Sequence, residues 1–186
     1  MAIVLIILAV LVLLAFLPQM WVKNVINRHS AERPDFPGTG GEFARHLLDE
    51  MKLGHVNVEQ TDGGDHYDPV SKTVRLLPQH FNGRSLSAVV IAAHEVGHAI
   101  QDARGESLFQ TRQKLAKAAM VGERIAGILL IAAPVVFVLT RMPQASAVTI
   151  LIGVMSMALG TLVHLVTLPV ELDASYGKAL PILQEG

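Results

Sequence analysis

Leu86-Ser87-Ala88-Val89-Val90-Ile91-Ala92-Ala93-His94-Glu95-Val96-Gly97-His98-Ala99-Ile100-Gln101-Asp102-Ala103-Arg104 decides how the rest of the chain is read. Ser85 or Ser87 offers an N-cap and Gly105 a terminator, so a helix over about 86–104 is predicted. From Ala88 to Ile100 it is apolar nearly all round, which predicts burial. His94, Glu95 and His98 interrupt that run. A four-residue spacing brings both imidazoles to one face, within reach of a single ion, and Glu95 projects on the adjacent face. Two imidazoles and a carboxylate from elsewhere make a three-ligand zinc site with an open fourth position, where water ionises near pH ~7. Glu95 then has the role of taking a proton from the attacking water and passing it to a leaving amine. Chance occurrence of this pattern in a chain of such size is roughly 1%. Hydrogen-bonded core histidines would leave the carboxylate in the same apolar turn unexplained.

Outward from this helix, the 186 residues are 51% hydrophobic and only 17% charged, with a mean hydropathy of +0.44. Soluble domains carry about 25% charged residues, so the apolar surplus points to lipid. A net charge of -1 gives no footprint for nucleic acid. The absence of Cys removes disulfides, thiolate sites and cysteine nucleophiles, leaving eight His as the soft ligands.

Ala2 to Val22 is apolar apart from Gln19 and matches a ~30 Å hydrocarbon core. An uncleaved anchor over 1–22 is expected rather than a secretory signal, because no basic residue precedes the run and no small-residue cleavage pattern follows Leu17. Trp21 and Lys23 mark the interface. Apolar character returns in Ile125–Leu139 and Ala147–Val170, around a turn with Arg141 and Pro143. A transmembrane hairpin over 120–170 is expected, with Pro134 as a kink candidate and Gly153, Ser156, Ala158 and Gly160 allowing close approach of the arms. His164 within the second arm is either a structural hydrogen-bonding residue or functional, and its role stays open. Lys23, Arg28, Arg33, Arg45, Arg112, Lys114 and Lys117 lie in the central segment and Arg124 just beyond it, which places 23–119 and the chain after Val170 on the cytoplasmic side of a multi-pass cell-membrane protein.

The polar segment 23–119 reads as an α+β unit, mainly α. Thr39 and Glu42 form a capping box ahead of the stripe Phe43, Leu47, Leu48 and Met51, which Gly54 ends. Val56 to Gln60 and Thr73 to Leu77 alternate as strands, with a turn at Asp68-Pro69, so a small hairpin or meander is expected. The Thr73–Leu77 strand is equally readable as an ordinary sheet strand and as an edge that pairs with extended substrate.

Glu171, Asp173, His164, His66 and His80 are the candidates for the third ligand. Glu171 is favoured, because it follows the second hairpin arm at the membrane face where the topology puts the His94/His98 helix. Asp173, two positions on, faces the other way and is second choice; His164 lies roughly 10 Å deeper along the helix. Tyr67, His66, His80 and Tyr176 are weak candidates for stabilising an oxyanion.

His66-Tyr67-Asp68-Pro69, Thr73-Val74-Arg75-Leu76, Gly83-Arg84-Ser85, Ala92 through Gln101, and Leu168-Pro169-Val170-Glu171-Leu172-Asp173-Ala174-Ser175 together resemble the bacterial neutral zinc metallopeptidases, the YugP-like membrane proteases. The resemblance spans nearly the whole chain. It implies a zincin-like catalytic domain, zinc held by His94, His98 and Glu171, Glu95 as general base, and a peptide or protein substrate. It also implies a further apolar segment beyond Gly186. The expectation is therefore a three-span membrane zinc endopeptidase with about one zinc per chain, residues 171–186 forming the cytoplasmic segment that carries the third ligand. The alternative is a non-catalytic scaffold in which zinc ties the polar domain to the hairpin. Substrate identity and oligomeric state are not legible.

Overall fold

The Thr39 capping box closes as expected: Glu42 N–H donates to Thr39 Oγ1 at 3.3 Å and Thr39 N–H to Glu42 Oε2 at 2.8 Å. It starts a helix that buries Ala44, Leu47 and Leu48. The computed structural model describes residue 17 and residues 20–185, so nearly all of the expected 1–22 span lies outside it. In chain order the elements are α1 (residues 20–28), α2 (Gly40–Glu50), β1 (Asn57–Gln60), β2 (His66–Asp68), β3 (Thr73–Leu76), α3 (Pro78–Phe81), α4 (Leu86–Ala103), α5 (Ser107–Thr140), α6 (Pro143–Leu172), a π-helix (Asp173–Ala179) and α7 (Leu180–Glu185). They form two compact units, residues 1–100 with 178–186, and residues 101–177.

In the first unit the sheet order is β1-β3-β2, with β1 parallel to β3 and β2 antiparallel to it. The expected small hairpin is present in β2 and β3, which pair antiparallel around the Asp68-Pro69 turn, whereas a meander is not formed, because β1 and β2 are neighbours in sequence but not in the sheet. Thr73, Val74 and Leu76 of β3 are all essentially buried, as suits a strand paired on both sides. The edge-strand reading of Thr73–Leu77 is corrected with it, because both hydrogen-bonding sides of β3 are occupied and the edges belong to β1 and β2.

Asp68 ends β2 and organises the turn into β3. Its carboxylate accepts from Val70 N–H at 2.9 Å, Ser71 Oγ at 2.8 Å and Arg75 Nη1 at 2.9 Å. The Ser71 hydroxyl first, then Arg75 and the Val70 amide, hold this carboxyl far below the usual carboxylate range. Because the folded value is the lower one, the stabilisation is complete above the unfolded value of ~3.9 and is lost as the pH falls below it. Asp68→Asn is expected to cost about 1–2 kcal/mol at neutral pH, the side chain being partly solvated. The gap between wild type and variant in urea unfolding should narrow as the pH is lowered from ~6 to ~2. A gap independent of pH would contradict this role.

In the second unit α5 and α6 form the expected helical hairpin, joined by Arg141 and Met142. Arg141 ends α5 in the left-handed conformation at φ 52°, its N–H donating to Phe137 C=O. Pro134 lies inside α5 and the helix continues through it. A Cβ on Gly153 would sit 3.0 Å from the Leu130 side chain, so this small residue does allow close packing against α5. Ile128, Ile131, Val135, Val138 and Leu139 stand exposed along α5. Among the described residues one helix, Ser107–Thr140, is long and apolar enough to cross a membrane. The described chain is mainly helical with one small mixed sheet, and three spans are not established by it.

Candidate metal centre

Helix α4 is fixed at its start by short-range chemistry. Ser85 Oγ accepts from Ala88 N–H at 3.2 Å, the capping role read from the sequence. Ser87 N–H donates to the His29 carbonyl at 3.1 Å, and Arg33 N–H to the Arg84 carbonyl at 2.7 Å, so the segment after α1 is tied to this end. Gly40 lets α2 approach closely: a Cβ there would overlap the His80 carbonyl and lie 2.9 Å from the Ala88 carbonyl oxygen. At the other end Gly105, at φ 65°, stops the helix as expected.

From Ala92 to Gln101 every residue except His94 is buried. His98 and Glu95 are 4% and 7% exposed, while His94 is partly open. The two imidazoles are in contact, ring centroids 4.7 Å apart and planes at 77°. The four-residue spacing has thus brought both rings to one face. A buried carboxylate in the same turn is costly unless it is partnered, and Glu95 is among the residues with an electrostatic or hydrogen-bonding partner.

Glu171 sits in the last turn of α6, where its Oε1 pairs with Arg112 Nη2 at 2.5 Å. Asp173, the second choice, begins the π-helix and accepts from Gln101 Nε2 at 2.8 Å. His80 is buried, with Nδ1 2.8 Å from Asp65 Oδ2, and Asp65 Oδ1 accepts from Leu77 N–H at 2.7 Å. His66 Nδ1 lies 2.8 Å from the Gly64 carbonyl. Of the oxyanion candidates, Tyr67 is buried in β2 and Tyr176 is 67% exposed on the π-helix. His164 lies outside the residues whose side chains are described.

The family model described as "Putative neutral zinc metallopeptidase" matches residues 4–186. The chain belongs to this family. A relative from Bacillus subtilis (strain 168), "Putative membrane protease YugP", is 34% identical over 175 residues, covering 93% of this chain and 74% of the relative. No solved structure matches. For a member of the zinc metallopeptidase family the α4 geometry has a direct chemical meaning: two nitrogen donors one helical turn apart suit zinc, which takes His nitrogen and carboxylate oxygen in tetrahedral sites. The sequence reading missed two partners, Arg112 and Gln101. Arg112 entered only as one of the basic residues of the central segment, and Gln101 only as part of a motif. The signal available for Gln101 was an amide at the end of an otherwise apolar buried run.

Proposed function

We propose that the protein is a membrane zinc endopeptidase in which His94, His98 and Glu171 hold one zinc ion and Glu95 is the general base. The observation that carries the reading is the pair of imidazoles meeting edge to face on the buried second half of α4, with Glu95 next to His94 in the chain. Glu171, the carboxylate favoured by the sequence, would complete a donor set of two imidazoles and a carboxylate. That donor set fits zinc in a site with a coordination position left over.

When bound, zinc supplies Lewis acidity toward a peptide carbonyl and lowers the pKa of water. The chain's own groups do the rest. Glu95 would take one proton of the attacking water and deliver it to the departing amide nitrogen, so that the C–N bond breaks to give an amine and a carboxylic acid, whose remaining proton passes to the amine or to solvent. Glu95 is itself buried, in a turn of α4 whose neighbours Ala92, Ala93, Val96 and Ala99 are buried too, and a low local dielectric strengthens the electrostatics of proton transfer.

The domain plan belongs to the same proposal. Residues 1–22 anchor the chain, 23–119 form a zincin-like catalytic domain, 120–170 cross the bilayer twice, and 171–186 return to the cytoplasmic face with the third ligand. The exposed apolar length of α5 and the name of the Bacillus relative support a membrane location. The excess of Lys and Arg in the central segment supports the cytoplasmic orientation and the cell membrane.

Purified in detergent without added metal, the protein is expected to carry about one zinc per chain and to cleave an unstructured protein such as casein. A chelator should abolish cleavage and stoichiometric zinc restore it. Cleavage that survives removal of all zinc would refute the reading.

A further inference from the structure

Glu171 is held by more than its place in the chain. Arg112, on the second turn of α5, pairs with Oε1 at 2.5 Å, and both side chains are only 26% and 33% exposed. One residue before Glu171, the Val170 carbonyl accepts from Gln101 Nε2 at 3.0 Å; two residues after it, Asp173 Oδ2 accepts from the same amide nitrogen at 2.8 Å. Gln101 is 1% exposed. The backbone changes from α to π between these points, and the Asp173 N–H reaches both the Pro169 and the Val170 carbonyls. A π-turn widens the helix and alters where the side chains around it project. Gly177 leaves room for the Asp173 carboxylate: a Cβ there would overlap Asp173 Oδ1.

We infer that Arg112 and Gln101 are positioning residues that set the Glu171 carboxylate for metal binding. Arg112 pairs with Oε1 and so fixes the orientation of the carboxylate. Gln101, three positions after His98 on the same helix, ties the Val170 carbonyl just before Glu171 and the Asp173 carboxylate just after it, so one element carries two of the proposed ligands and the brace for the third. This rests on the proposed His94/His98/Glu171 site. Carboxylates that ligate metals are themselves hydrogen-bonded, and loss of such partners weakens metal binding by about 10–100-fold. A guanidinium also opposes the charge of a dication, so the proposal requires the ordering of Glu171 to outweigh that repulsion.

The test is zinc affinity, measured by competition with a chelating dye on the full chain in detergent. Arg112→Met and Gln101→Leu are each expected to weaken zinc binding about 10-fold or more, with wild-type helical ellipticity. In a Glu171→Gln background, Arg112→Met should cause no further loss, which a merely structural role would not produce. Should Arg112→Met not fold, Arg112→Gln, whose shorter amide falls short of Oε1, is read by the same criteria. Zinc binding by the Arg112 variant as tight as or tighter than wild type would overturn the inference, as would an equal loss in the Glu171→Gln background. If Glu171→Gln alone leaves zinc affinity unchanged, the three-ligand reading fails instead.

Discussion

Glu95→Gln is expected to lower kcat/KM for peptide hydrolysis by about 10²–10⁴-fold while leaving zinc content at the wild-type level. The amide matches the carboxylate in size, so the buried turn of α4 keeps its packing, but it cannot accept a proton from water at neutral pH. Glu95 is 7% exposed and stands between two histidines whose rings touch, so a larger change of shape there would disturb the ligands as well. Gln isolates the proton transfer from the geometry. Zinc analysis alongside casein cleavage separates the outcomes. An active Glu95→Gln protein removes this residue from the chemistry, whereas a zinc-free one makes it part of the metal site.

His98→Ala is expected to have the opposite signature. Losing one of the three proposed ligands should weaken zinc binding on the order of 10²-fold or more, and hydrolysis should fall to background with it. The side chain is 4% exposed, so truncation also leaves a small cavity, with a modest stability loss. Excess zinc should recover part of the activity in proportion to occupancy. Wild-type zinc affinity in this variant would exclude the motif as the metal site. Together the two substitutions distinguish a residue that holds the ion from one that moves the proton.

Much of this was written locally in the chain. The capping box at Thr39, the cap at Ser85, the length of α4 and its stop at Gly105 all follow from residues within one turn of where they act. The hairpin of α5 and α6 follows from the apolar lengths and the short break between them. The sheet order did not follow, because a parallel pairing of β1 with β3 depends on contacts across the β2 segment that no local pattern encodes. The partners of the site residues were equally hidden. Asp65 with His80, Arg112 with Glu171, and Gln101 with Val170 and Asp173 join positions far apart in sequence. Residue type limits what a side chain can bond to, but the choice of partner is made by the packing of helices.

The most direct test of the central claim is zinc K-edge X-ray absorption on the full chain in detergent, for wild type and for Glu171→Gln. The account predicts two imidazole nitrogens at about 2.0–2.1 Å, one carboxylate oxygen at about 2.0–2.2 Å and an exchangeable oxygen completing the sphere, with the carboxylate contribution missing from the variant. Four protein ligands around the zinc, or a spectrum unaltered by Glu171→Gln, would contradict it.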